Sequence, residues 1–331
     1  MILVTGGTGL VGAHLLVQLT KREDKIRAIL RKSSNLKSVQ QVFSYYFDDI
    51  SPYFSKIEWV EADITDINSL EPVFENVNYV YHVAAMISFH PKRYKDMRKI
   101  NIEGTANIVN FSIASGVRKI CYVSSVATVG RSIENQTIDE SSEWNIESSN
   151  YGYAITKYGA EMEVWRGTQE GLDAVIVNPG FILGEGFWNS GSSKIFSKVH
   201  SGIKYYTEGV TGYVDVQDVV KSMIMLMDGS IKNERFILVS ENLSYRAVFS
   251  EIAKSFGKKE PNIKISKFLS EISWRVVAVL SGLKGNEPLL TKHTSKSIHR
   301  VSEFSNAKIK SSIGLVFNPI SSVIERVCAN F

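Results

Sequence analysis

The stretch that most constrains this 331-residue chain is its beginning. An apolar run, Ile2-Leu3-Val4, meets Thr5-Gly6-Gly7-Thr8-Gly9-Leu10-Val11-Gly12, and a helical pattern follows at once. Glycines so placed suit a backbone that turns tightly and lets other groups come close. The alternation then repeats. Apolar runs rich in β-branched residues at 26–30, 57–60, 79–84, 120–124 and 174–177 alternate with helical patterns at 10–22, 67–76, 93–115 and 151–170. Runs without polar alternation belong to strands buried on both faces. Repeated βα units predict a Rossmann-type, doubly wound parallel α/β sheet. The segment 35–55, with Tyr45, Tyr46, Phe47 and Tyr53, exceeds a simple connection and predicts one extra helix against the sheet edge. After Asn178-Pro179-Gly180 the pattern loosens, and a last strand at 235–239 is expected to rejoin the sheet. The expected division is a cofactor-binding domain over 1–178 plus about 213–240, and a smaller C-terminal substrate lobe over 179–212 and 241–331.

Composition excludes several classes. With 44% apolar and 22% charged residues, the chain is neither disordered nor fibrous. Cys121 and Cys328 lie far apart and outside any CxxC pattern, so neither a disulfide framework nor a cysteine-built zinc site is expected. The histidines show no metal spacing either. No secretory leader pattern and no apolar run of roughly 18 residues stands out, so a cytoplasmic chain without a membrane span is expected. The longest candidate, 268–283, is interrupted by Glu271 and Arg275 and reads as an amphipathic helix, packed or lying at a membrane surface. The net charge of +4 is unevenly spread: residues 231–331 carry +8 and the rest −4. That excess does not call for nucleic acid, and a small-molecule partner is expected.

A glycine turn between a first strand and a first helix is where a dinucleotide pyrophosphate docks, on the free N–H groups of the helix start, including Leu10 and Val11. Gly6 permits the turn, Gly9 admits phosphate, and Gly12 lets helix and strand pack closely. About 20 residues on, an NAD-selective site carries an acidic residue. Here the second strand ends in Arg31-Lys32-Ser33-Ser34. A guanidinium binds a 2′-phosphate that a carboxylate would repel, so NADP(H) is favoured over NAD(H).

Tyr153 and Lys157 stand four residues apart on the helix predicted at 151–170, hence on one face. An ammonium beside a phenol favours the phenolate, which brings a tyrosine toward useful proton transfer. Ser124 and Ser125 end the fifth strand, where open α/β sheets bind ligands. Alternation turns Ser124 away and leaves Ser125 to donate to a carbonyl oxygen. Beyond these, Phe89-His90 follows the fourth strand and could roof the cofactor, and Phe187 and Trp188 are expected to begin the substrate pocket.

Taken together, the glycine turn, Asp63-Ile64, His82-Val83-Ala84-Ala85, Asn101-Ile102-Glu103-Gly104-Thr105, Ser124-Ser125, Tyr153 to Lys157 and Asn178-Pro179-Gly180 resemble the extended short-chain dehydrogenase/reductase family. The branch most resembled contains dihydroflavonol reductases, 3β-hydroxysteroid dehydrogenases and NAD-dependent epimerase/dehydratase proteins. The resemblance implies a catalytic Ser125, Tyr153 and Lys157, with Asn101 supporting the lysine through water. It implies that Asp63 and Ile64 meet the adenine, that Ala84 and Ala85 line the adenosine side, and that Pro179 joins the cofactor residues. Asp215 and Asp218, in Tyr213 to Val219, read as structural carboxylates that cap a helix. Two departures point away from the sugar-modifying members. No tyrosine precedes Gly130, and Val126-Ala127 stand where the dehydratases place Asp-Glu.

The leading expectation is therefore an oxidoreductase that interconverts a ketone and a secondary alcohol. The alternatives are a nucleotide-sugar epimerase that keeps NAD bound, and a cofactor-binding protein without turnover. Pairing of the helices at 93–115 and 151–170 across a two-fold axis would make a homodimer.

Overall fold

The computed structural model describes residues 1–130, 137–145, 151–284 and 291–331. Its centre is a parallel sheet of β1 (Ile2–Thr5), β2 (Ile26–Leu30), β3 (Ile57–Glu61), β4 (Tyr79–His82), β5 (Lys119–Val123) and β6 (Asp173–Pro179), with Glu234–Leu238 as a seventh strand. Across the sheet the order is Glu234–Leu238, β6, β5, β4, β1, β2, β3. The order reverses between β1 and β4, whose carboxyl ends lie level, Thr5 opposite His82. A crevice opens at such a switch point, so the sheet itself places the ligand site.

Both faces are covered, as the uninterrupted apolar runs require. Along β5, Cys121 and Val123 join the core under the helices Leu10–Thr20 and Val216–Asp228, whereas Ile120 and Tyr122 join the core under Gly104–Ala114 and Gly152–Gln169. Each large side chain buried in these layers contributes about 1.5–3 kcal/mol.

A second, three-stranded sheet of Glu241–Ser244, Val210–Asp215 and Phe181–Leu183 lies beyond the end of β6. Its core, with Phe196, Tyr213, Ile252, Val323 and Val327, is closed by the helix Ile320–Ala329.

Three predicted helices differ in detail. The 35–55 segment forms two short helices, Lys37–Ser44 and Ser51–Phe54, and Phe47 and Tyr53 stack across the break at 3.6 Å. The 67–76 pattern tightens into a 3-10 turn at Glu71–Phe74, where Pro72 has no N–H to continue the α-helix. The 93–115 pattern contains a π-turn, Arg98–Glu103, which buries Asn101 before the helix resumes at Gly104. The amphipathic pattern at 268–283 is the helix Lys267–Lys284, with Phe268, Leu269 and Ile272 exposed on it. Among the described residues no helix is long and apolar enough to cross a membrane.

Candidate active site

A cavity of about 1480 Å³ runs along the carboxyl ends of the strands. Small-molecule pockets span roughly 300–1000 Å³, so this one has room for a dinucleotide and a second ligand. Gly6, Gly9, Leu10, Val11, Arg31, Asp63, Ile64, Ala84 and Ala85 all line one end. Ser125, Tyr153, Lys157 and Pro179 line the middle.

The glycine turn fits a pyrophosphate on its own geometry. Gly6 has φ 73, and a Cβ there would meet the Ala84 backbone at 2.6 Å. A Cβ on Gly12 would sit 2.1 Å from the Gly6 carbonyl oxygen. Gly9 is extended, and the helix Leu10–Thr20 begins with no side-chain cap, so its first N–H groups are left for an anion. Asp63 Oδ1 accepts from the N–H and the hydroxyl of Thr65, which fixes the carboxylate in the cavity wall. Arg31 is exposed at the end of β2, next to Ser34 and Ser38 in the wall.

Ser125 and Ser124 point as alternation requires. Ser124 is buried and donates to Glu161 Oε2 at 2.6 Å. Ser125 Oγ accepts from the Ala127 N–H at 3.2 Å, which caps the turn Val126–Thr128. Burial pushes the Tyr153 phenol up to about 12, with the neighbouring Ser125 hydroxyl opposing. The downward pull expected of Lys157 is not among the causes acting on that phenol, and burial keeps the proton on Tyr153 at neutral pH.

Lys157 is buried, and its Nζ donates to Tyr122 Oη at 2.6 Å and to the Val123 carbonyl at 2.8 Å. Burial pulls its ammonium down to about 7, and Glu161, one turn further along the helix, raises it. Asn101 is buried in the π-turn Arg98–Glu103. Its amide donates to the Met86 carbonyl and to Thr156 Oγ1, both at 3.0 Å, and its Oδ1 accepts from the Met86 N–H. The π-turn aims Asn101 at the cavity-wall residue Met86, and Tyr122 is the side chain that holds Lys157.

Other expectations sort cleanly. Phe89 lies against Tyr151 and Tyr153, with ring centroids at 5.7 and 6.1 Å. His90 lines the cavity, but its Nδ1 accepts from the Lys92 N–H and caps the turn Pro91–Arg93. Phe187 lines the cavity. Trp188 does not: it packs edge-on to Phe196 and Phe331, because the chain turns at Gly186 (φ 102) and sends successive side chains apart. Asp215 caps the helix Val216–Asp228 and grips Arg326 in a fork at 2.6 and 2.8 Å. Asp218 accepts from the Asn318 N–H. Among the described residues no His, Cys, Asp and Glu cluster could hold a metal.

Sequence reasoning missed Tyr122, Glu161 and Arg235. Glu161 is fully buried behind the serines, where Asn178 and Arg235 converge on it. The one signal was its position four residues after Lys157, which reads equally well as a surface ion pair.

Residues 2–238 match the NAD dependent epimerase/dehydratase family. The chain belongs to that family. Within it the relatives are those of the extended short-chain dehydrogenase/reductase branch. The chain is 26% identical to a 3-beta-hydroxysteroid dehydrogenase of Mycolicibacterium neoaurum, over 95% of this chain and 86% of that one. It is 24% identical to a bifunctional dihydroflavonol 4-reductase/flavanone 4-reductase of Malus domestica, over 80% and 77%. The crystal structure of gox2253 superposes with a TM-score of 0.83 at 28% identity, covering 100% of this chain and 97% of that one. As a family member the chain is an NAD(P)-dependent enzyme of the extended type.

Proposed function

We propose that this family member is an NADP(H)-dependent oxidoreductase that interconverts a ketone and a secondary alcohol, as dihydroflavonol reductases do. Residues 1–178 and about 213–240 would bind the cofactor, and 179–212 with 241–331 the substrate. The observation that best supports the reading is that Ser125, Tyr153 and Lys157 line one cavity, with Lys157 one helical turn from Tyr153. Asp63, at the adenosine end, is the sole carboxylate among the described lining residues.

A bound nicotinamide supplies the hydride. Ser125, whose oxygen is already used by the Ala127 N–H, donates its own proton to the carbonyl oxygen. That oxygen gains charge in the transition state, where such a donor acts most strongly. Tyr153 delivers its proton to the same oxygen to complete the alcohol. The Lys157 ammonium favours the phenolate left behind. In the oxidative direction the phenolate takes the alcohol proton back. Arg31 would hold the 2′-phosphate, which is the ground for preferring NADP(H). Low cysteine use and this thiol-free chemistry suit the cytoplasm. Ile155 and Met162, exposed seven residues apart on Gly152–Gln169, suit a homodimer across that helix.

The far end of the cavity combines apolar walls, including Phe181, Ile195 and Phe249, with Lys194, Lys198, Lys296 and Arg300 at the rim. An apolar carbonyl compound that carries negative charge fits that combination. The same cations would suit a diphosphate, which favours a second reading, an NAD-keeping nucleotide-sugar epimerase. Both readings are tested by extracting the cofactor from purified protein and following nicotinamide absorbance with sterols, flavonoid-like ketones and nucleotide sugars. Net oxidation of NADPH by a ketone, reduced at least about 100-fold in Tyr153→Phe, is expected. An undiminished rate in that variant would sink the assignment of Tyr153. Stoichiometric bound NAD+ with sugar inversion and no net absorbance change would install the epimerase.

A further inference from the structure

We propose that Tyr122 is a positioning residue for the ammonium of Lys157, and that a row of buried polar side chains packs it against the glycine turn. The inference rests on the reading of Lys157 as a residue of the active site.

Lys157 enters the core from the helix Gly152–Gln169 and meets β5. Its Nζ donates to Tyr122 Oη at 2.6 Å and lies 4.3 Å from the centroid of the same ring. One side chain thus offers the ammonium an oxygen lone pair, with its ring alongside. Thr105 stands beside Tyr122 Oη and opposes the upward push of burial on that phenol. Thr105 Oγ1 lies 2.9 Å from His82 Nε2, and His82 Nδ1 lies 2.6 Å from Thr5 Oγ1. Thr5 Oγ1 in turn accepts from the N–H of Ala84, a residue of the cavity wall, at 3.2 Å. The rings of His82 and Tyr122 stack at 5.4 Å and 28°. Each of Thr5, His82, Thr105, Tyr122 and Lys157 is no more than 1% exposed. The row therefore crosses β1, β4, the helix Gly104–Ala114 and β5 inside the protein, and it ends on the lysine.

A buried ammonium keeps its proton only if acceptors replace the water it has lost. Two of its three protons are committed, to Tyr122 and to the Val123 carbonyl. The third has no partner among the described residues, and Lys157 lines the cavity. A ribose hydroxyl is the class of group that a fixed, cavity-lining donor suits. The titratable groups around Lys157 are Glu161 and Tyr153 on its own helix, Tyr122 on β5 and His82 on β4. His82 brings no charge, because burial, aided by the lysine's own charge, holds its imidazole down at about 3. Thr105 and Asn101, from the elements packed on the other side, are uncharged. Tyr122 is thus the one adjustable acceptor, and on a strand whose other core residues are Ile120, Cys121 and Val123 its hydroxyl is an exception to an apolar pattern.

The test uses the full chain as Tyr122→Phe, which keeps the ring and removes the oxygen, and as the pair Thr105→Val and Thr105→Ser. The Lys157 Cε resonance is followed through a pH titration of ¹³C-lysine protein, with Lys157→Met for assignment. NADPH affinity is read by fluorescence, and kcat and KM are profiled against pH with a ketone the enzyme reduces. In Tyr122→Phe the Lys157 midpoint is expected to fall from near 7 by about one pH unit, with NADPH binding weakened about tenfold. The kcat profile should follow the midpoint while the KM for the ketone stays level. Thr105→Val should move the same readouts in the same direction, and Thr105→Ser should restore them. If Tyr122→Phe does not fold, the Thr105 pair decides. A Lys157 midpoint unmoved in every folded variant, or moved equally by Thr105→Val and Thr105→Ser, would overturn the proposal. If wild type reduces no ketone, the redox reading falls, and the titration and NADPH binding still judge Tyr122.

Discussion

Replacing Glu161 with glutamine tests the buried frame behind the serines. Glu161 Oε2 accepts from Ser124 at 2.6 Å and from Asn178 at 3.0 Å, and it shares the Thr128 hydroxyl at 2.7 Å. Its Oε1 accepts from Arg235 at 3.3 Å and from Trp165 at 3.4 Å. The glutamate side chain is 0% exposed and that of Arg235 18%. Glutamine keeps one oxygen and converts the other to NH₂, so a donor would face donors whichever way the amide sits. It also strips the guanidinium of its counter-charge. Removing one partner of a buried pair costs about 3–5 kcal/mol, a large share of the roughly 5–15 kcal/mol that holds a protein folded. Equilibrium unfolding in urea, followed by circular dichroism, is expected to show that loss as a lower midpoint at unchanged slope. Turnover should fall as well, since Asn178 and Thr128 also hold the Ser125 carbonyl, at 3.2 and 2.8 Å. A variant within about 1 kcal/mol of wild type would refute the account of Glu161 as a charged, fully used acceptor.

Two further outcomes follow from the structure. Arg31→Ala should lower the preference for NADPH over NADH by about 10–100-fold, the worth of a hydrogen bond to a charged group, as read from Kd for each cofactor; an unchanged ratio would return the site to NAD(H). Burial holds the Asp218 carboxyl up at about 6, with the Asn318 N–H opposing. Its unfolded value is about 3.9, so the folded state holds the proton more tightly. The stability this contributes is complete below about pH 4 and is lost as pH rises through 6, on the order of 1–2 kcal/mol after screening. Asp218→Asn should remove that slope, and parallel urea midpoints for both proteins from pH 4 to 7 would contradict it.

The sheet was legible because parallel strands buried on both faces leave unbroken apolar runs, and because glycine has few other reasons to recur at 6, 9 and 12. Ser125, Tyr153 and Lys157 were singled out by spacing on a helix and the parity of a strand, read together with the glycine turn upstream and the family resemblance. What stayed hidden depends on partners distant in sequence. Tyr122 reads as one more β-propensity residue until the helix 30 residues on delivers Lys157 to it. Glu161 reads as a helix-surface charge until β6 brings Asn178 and the edge strand brings Arg235. The π-turn at Arg98–Glu103, which buries Asn101, stayed hidden too, because no periodicity in the sequence records it.

The seventh strand also sets a clock on synthesis. Glu161 leaves the ribosome about 74 residues before Arg235, the residue that neutralises it. At roughly 5–20 residues per second that interval lasts some 4–15 s. During it a lone carboxylate lies where the interior will be, and β6, once made, is a bare edge. The order of manufacture thus makes the edge strand Glu234–Leu238 a late keystone, and a nascent chain stalled before it is the form most open to pairing with a neighbour.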